Sequence, residues 1–137
     1  MEKYKFPSEG WIKAYKEELN KNKVYEESAK DWEGDFLFII SPGEGIEKEI
    51  VFYVDLWHGK CRDAYMLPSR EAKKTAFVFE GPYSNWKKLI MGQLDPIHAI
   101  MMRKFKLEGD MGKVLRYTKA ASELVKTASR IPTEFIL

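Results

Sequence analysis

The sequence predicts an α+β fold, because its hydrophobic period runs from helical to strand-like and back along one chain. Near the start, Trp11, Ile12, Tyr15 and Leu19 recur at helical spacing. A middle block of short apolar runs bounded by turn residues reads as strands, and the helical period returns after residue 82.

Each element has a local reason. The Ser8 hydroxyl can accept from a free first-turn amide and so cap the first helix. Its apolar stripe then faces a core while Lys and Glu face water. A break at Asn20-Lys21-Asn22 precedes a second short helix over residues 23–31. Residues 35–40 (DFLFII) form a compact apolar strand, closed by the turn chemistry of Ser41-Pro42-Gly43-Glu44-Gly45. A second strand is expected over residues 48–57, and His58-Gly59 reverses it into a third over 60–66. Pro68 ends that strand, and residues 75–79 make a fourth. With short polar connections, these four read as an antiparallel meander.

After Gly81-Pro82, Ser84 is a candidate cap for a helix carrying Trp86, Leu89 and Ile90, which Gly92 stops. Asp95-Pro96 opens another, since Asp caps and Pro tolerates the first helical turn. A last strand over residues 103–108 leads to one long final helix over 110–129, with Met111, Val114, Leu115, Thr118, Ala121, Val125 and Ala128 on a shared face. No repeat, low-complexity tract or linker divides residues 1–137, so they read as a single domain.

Composition narrows the function classes. A 137-residue domain buries roughly two-thirds of the surface its unfolded chain exposes, enough for a core without staples. The chain is 45% hydrophobic and 32% charged, ordinary for a globular protein. Its net charge of +2 does not call for nucleic acid. Charge is uneven, however: residues 101–130 hold eight Lys/Arg against three acids, while residues 1–35 hold seven Lys against nine acids. The basic quarter reads either as a solvated helix face or as a surface making transient contact with an anionic head group or membrane. Cys61 is the only cysteine, which excludes an internal disulfide and a thiolate zinc site and points to a reducing, cytoplasmic setting. No run approaches a membrane span, and MEKYKFPSEG lacks the apolar stretch of a signal peptide.

Candidate chemistry is sparse. Gly109-Asp110-Met111-Gly112-Lys113 is too short for a phosphate loop and lacks the Ser/Thr after its lysine, so it reads as a strand-to-helix turn with Asp110 as cap. His58 falls in a turn, and His98 follows Asp95 by three residues, a helix-end pair rather than a catalytic dyad. Cys61 has no adjacent histidine, and Asp55 and Asp63 face each other across a hairpin, as carboxylates on strands often do. The expectation is a protein with no catalytic residue, no metal and no cofactor.

Soft apolar volume is what the chain does have: four Trp, seven Tyr, eight Phe and six Met. Methionine fills adaptable spaces. From Thr75 to Gly112, TAFVFEGPYSNWKKLIMGQLDPIHAIMMRKFKLEGDMG resembles the sterol carrier protein family, the non-specific lipid-transfer proteins. The join rests on Met91-Gly92-Gln93-Leu94-Asp95-Pro96 and on Lys106-Leu107-Glu108-Gly109-Asp110-Met111-Gly112 in order and spacing. The meander, with Val54-Asp55-Leu56 before His58-Gly59-Lys60, extends the likeness to roughly residues 10–125.

The resemblance implies a curved, five-stranded, mostly antiparallel sheet covered on one face by helices. It also implies an apolar tunnel for a fatty acid, fatty acyl-CoA, phospholipid or sterol-like lipid, which is transferred or presented without chemistry. On this reading the tunnel is lined by Phe77, Phe79, Trp86, Ile90, Met91, Ile97, Met101, Phe105, Leu107, Met111 and Leu115, with Lys113 and Arg116 near an anionic head group. The alternative is a non-catalytic interaction module with a filled interior, serving a partner enzyme or a homodimer. The chain ends Glu134-Phe135-Ile136-Leu137 rather than in the small-basic-Leu address of peroxisomal members. That apolar tail either folds back over a tunnel mouth or is disordered or crystal-packed. The natural lipid, and whether the chain is a monomer or a homodimer, are left open.

Overall fold

A computed structural model describes residues 2–137. It opens with β1 (Tyr4–Phe6), α1 (Glu9–Lys21) and α2 (Lys23–Ser28). As expected, Ser8 Oγ accepts from the Trp11 amide at 3.0 Å, and α1 buries Trp11, Ile12, Tyr15 and Leu19. Asn22 ends α1 and caps α2 by accepting from the Tyr25 amide; α2 then stops at Ser28, short of the expected residue 31.

The main sheet contains β2 (Glu33–Ile40), β3 (Ile50–Trp57), β4 (Lys60–Leu67), β5 (Phe77–Gly81) and β6 (Lys106–Glu108), in the spatial order β4-β3-β2-β5-β6. Three of its four pairings are antiparallel, but β5 joins β2 in parallel, with Phe36 opposite Phe77 and Ile40 opposite Gly81. The expected four-strand meander is therefore only three strands long. The reason lies in β2, which buries Phe36 and Ile40 toward one face and Leu37 and Ile39 toward the other. Such a strand is central, and it needs a hydrogen-bonded neighbour on each edge.

To reach that second edge the chain crosses the sheet through residues 68–76. The crossing segment lies over the face where Leu37, Ile39, Val51 and Tyr53 are buried, opposite the helices. Arg70 pins it, donating to Glu49 at 2.7 Å and to Glu80 at 3.0 Å, while Lys73 Nζ sits 4.4 Å from the centre of the Tyr53 ring. The Arg70 hydrogen bonds hold the Glu49 carboxyl below its ordinary value of 4.5. A depressed carboxyl stabilises fully above its unfolded value and loses that contribution as pH falls through the folded one. Glu49→Gln should therefore flatten the part of an acid-unfolding curve that lies below about pH 4.5. An acid limb identical to wild type would rule out the pin.

The helical layer begins with α3 (Tyr83–Ile90) and α4 (Pro96–Met101). Ser84 is not the cap of α3, because Pro82 occupies that position. The cap is borrowed from the loop after β2: the Ser84 amide and hydroxyl both donate to the Glu44 carboxylate, at 2.9 and 2.8 Å. Asp95 caps α4 as expected, accepting from the His98 amide at 2.9 Å. The strand expected from residue 103 starts only at Lys106, since Arg103 turns the corner with φ 59°.

The expected long final helix is two, α5 (Met111–Leu115) and α6 (Thr118–Ser129). No Pro or Gly marks the break at Arg116 and Tyr117; instead the Tyr117 ring packs edge-on against Trp32 at 5.0 Å. Asp110 caps α5, and Gly109 before it has φ 125° with the Phe77 ring in the space a Cβ would take, so only glycine fits. Helix α6 is the hub of the layer, packing against α1, α2, α3 and α4. Between α1 and α6, Asn22 donates to both Glu123 and Thr127, so the buried polar groups of this seam satisfy one another. Finally, β7 (Thr133–Phe135) lies parallel to β1, and the tail folds back. Tyr83 ties the two together: its hydroxyl donates to the Phe6 carbonyl at 3.0 Å and accepts from the Ile136 amide at 2.9 Å.

Candidate functional site

Between the sheet and the helices lies a cavity of about 90 Å³ whose walls are almost entirely carbon. Phe36, Phe38, Phe52, Phe79 and Leu107 form its sheet side. Trp86, Leu89 and Ile90 of α3 and Pro96, Ile97 and Ile100 of α4 form part of the helical side. Val114 of α5 and Ala121, Leu124, Val125 and Ala128 of α6 complete it, while Phe6, Trp11 and Tyr15 close the far end. Phe135 stacks edge-on behind Phe6 at 6.3 Å, so the β1/β7 ribbon backs that closed end.

Of the eleven residues singled out from sequence, Phe79, Trp86, Ile90, Ile97 and Leu107 meet in this cavity. Phe105 and Phe77 are buried one layer behind it. Phe105 stacks on Phe79 at 4.4 Å and meets Trp86 edge-on, while Phe77 fits between Trp32 and Phe36. Met111 is half-buried off the wall. Met91, Met101 and Leu115 face solvent, with 50%, 73% and 45% of their surface exposed.

Local geometry explains the outliers. Helix α4 has six residues, and both the Lys104 and Phe105 amides return to the Ala99 carbonyl, so its last turn projects beyond the cavity. Leu115 lies one residue, or about 100° of helix, past the inward-facing Val114. Met91 follows Ile90 beyond the end of α3 in the same way. The aromatic wall residues Phe36, Phe38 and Phe52 were not singled out in advance, and Ala121, Val125 and Ala128 were read as the packing face of the final helix rather than as cavity lining. The alternation of Phe36 and Phe38, and Ala121 and Ala128 spaced seven apart, are the signals that carry them.

Charged groups lie outside the cavity. Lys113 Nζ donates to the Glu33 carbonyl and sits 4.9 Å from the centre of the Trp32 ring, whereas Arg116 is exposed. His58 is on the surface, 2.6 Å from Glu33, and neither His98 nor Asp95 reaches the cavity wall. Asp95 is occupied as a backbone cap. Asp55 binds Arg62 through two hydrogen bonds, and Asp63 faces Lys13 and Lys16. Among the described residues no group of three or more His, Cys, Asp or Glu could hold a metal ion.

Burial pushes the Cys61 thiol up to about 12, far from the thiolate a nucleophile needs. Cys61 should accordingly resist a thiol reagent in the native protein at pH 8 and react at once in denaturant. Rapid native labelling would show that the packing around it opens.

A sheet covered on one face by helices, with an apolar cavity between them, is the architecture that the sequence resemblance implied. Sequence comparison agrees: the SCP-2 sterol transfer family matches residues 12–122, and the chain belongs to it. Members of that family bind and transfer lipids and sterols. Among solved structures, a crystal structure of sterol carrier protein 2 superposes with a TM-score of 0.84 at 32% identity, covering 90% of this chain and 97% of that one. A conserved hypothetical protein of Thermus thermophilus gives the same TM-score at 31% identity, covering 93% and 90%. A curated relative, hydroxysteroid dehydrogenase-like protein 2 of Xenopus tropicalis, is 29% identical over 101 residues. The alignment takes in 74% of this chain and only 22% of that protein's length.

Proposed function

We propose that this chain is a non-catalytic carrier for a single-chain lipid, a fatty acid or fatty acyl-CoA, held with its hydrocarbon in the cavity between sheet and α6. One observation carries the reading: the cavity wall is aromatic and aliphatic with almost no polar atom, so water gains nothing there and an acyl chain does. At about 90 Å³ the cavity is well below the roughly 300 Å³ of a small-molecule pocket, so it widens at the helical side to take cargo. Support for such movement comes from Ile97, Ile100, Leu124 and Val125, which line the cavity yet are only half-buried. The anionic end of the lipid then lies toward α5, where Arg116 is exposed and in no ion pair among the described residues. A reducing, cytoplasmic setting suits the free Cys61.

The small volume also favours a second reading, an interaction module with a filled interior. Extraction of gently purified protein followed by mass spectrometry separates the two, together with displacement of a fluorescent fatty acid. A carrier releases lipid and binds the probe saturably at micromolar protein. Neither extracted lipid nor saturable binding would leave the filled module as the function.

A further inference from the structure

We infer that Phe6, Trp11 and Tyr15 form a fixed stop that limits the acyl chain this cavity accepts to about twelve carbons. The inference rests on the lipid-carrier reading and adds a length to it. Strand register gives the cavity a direction, because Phe52 of β3, Phe38 of β2, Phe79 of β5 and Leu107 of β6 stand side by side in one row across the sheet. All four line the cavity. The two ends of that row differ. Leu107 lies on an edge strand and is half-buried, as are Ile97 and Ile100 of α4. At the other end Phe6 and Trp11 lie against Phe52, with ring centres 6.0 and 6.4 Å away, and Tyr15 stacks on Trp11 at 5.4 Å. These four rings are all buried, so a chain entering past Leu107 ends against them.

Hydrogen bonds hold the stop in place. The Trp11 indole N–H donates to Thr133 Oγ1, the Tyr15 hydroxyl donates to the Leu124 carbonyl, and the Phe6 carbonyl accepts from the Tyr83 hydroxyl, each at 3.0 Å. The cavity wall shows almost no polar atom, so these bonds lie behind the rings. The helical side is built differently, since Ile97, Ile100, Leu124 and Val125 are half-buried aliphatics whose side chains have nothing to donate or accept. The cavity can therefore widen, but it cannot lengthen without leaving buried polar groups unpaired. Its length follows from the row. Three strand spacings span about 14 Å. An extended hydrocarbon with bonds of about 1.5 Å advances about 1.25 Å per carbon, so eleven or twelve carbons, roughly, fill that span. Carbons beyond that number stay outside and bury no further surface.

Unlabelled saturated fatty acids of increasing length, each displacing one fluorescent fatty acid, test the stop. In wild type the affinity should climb roughly fourfold per added CH₂ and level off at about twelve carbons. Phe6→Leu removes part of a ring from the stop, so the break should move out by about two carbons. Val125→Ala, on the helical side, should shift all lengths together and leave the break where it is. A melting curve checks that both variants are folded. A second measurement leaves the packing intact: a twelve-carbon acid is brominated at its last carbon or at C2, and bromine quenches indole emission on contact. The terminal bromine should quench more, and Trp11→Phe should remove the excess. A wild-type affinity still climbing beyond about sixteen carbons, a break that Phe6→Leu leaves in place, or equal quenching from the two bromine positions would overturn the stop. Saturable binding with no break defeats the stop alone; no saturable binding at any length defeats the carrier reading and the stop with it.

Discussion

Ala121→Trp is expected to weaken binding of a soluble fluorescent fatty acid at least about tenfold, or ~1.4 kcal/mol, while the protein stays folded. Ala121 lies on the α6 wall of a cavity of only about 90 Å³, and an indole there takes the volume the acyl chain would need. Overpacking of this kind costs roughly 1 to 3 kcal/mol of stability, so near-ultraviolet circular dichroism and a melting curve should accompany the titration. Met101→Trp is the matched control. It adds the same kind of ring to a residue 73% exposed at the end of α4, and soluble probe binding should not change. Equal losses in both variants would place the lipid outside this cavity.

Trp86→Ala should produce the largest loss of stability in the chain, about 3 to 5 kcal/mol in a denaturant titration. Trp86 meets Phe38, Phe79 and Phe105 within 5.6 Å, and its indole N–H donates to the Ile39 carbonyl at 2.9 Å. It therefore joins α3 to β2 and β5. Trp86→Phe keeps most of the ring contact and removes the donor, so its cost should fall to about 1 to 3 kcal/mol. A Trp86→Ala cost below that of Trp86→Phe would show that the surrounding aromatics collapse into the gap.

Much of this architecture was readable from local sequence, because short-range chemistry decides it. The Trp11 to Leu19 stripe, the Asp95-Pro96 start and the Asp110 cap are each set by a few adjacent residues, and each forms as read. Pairing across the chain is different. The parallel bond between β2 and β5 depends on which edge is free after β3 has paired, and no period in residues 75–79 records that. Only the two-sided apolar run of β2 hinted at a central strand. The same limit explains Ser84, whose amide is satisfied by Glu44, 40 residues away, and the kink at Tyr117, which serves Trp32.

The cavity was legible as a region and not as a residue list. Phe79, Trp86, Ile90, Ile97 and Leu107 come from elements whose inward face follows from periodicity. Met101 and Leu115 have the right chemistry but sit where a short helix ends, and burial there depends on where the chain turns next. Phe6 enters the cavity from a segment outside the recognised motifs, held by a strand from the other end of the chain.

That last pairing orders events during synthesis. Tyr4 finds its partner Thr133 only 129 residues later, an interval of roughly 6 to 26 seconds at ribosomal speeds. For most of that time Phe6 has left the ribosome while Phe135, the ring that packs against it, has yet to be made. The sheet and α3 can assemble first, but the closed end of the cavity cannot be sealed until translation has passed β7.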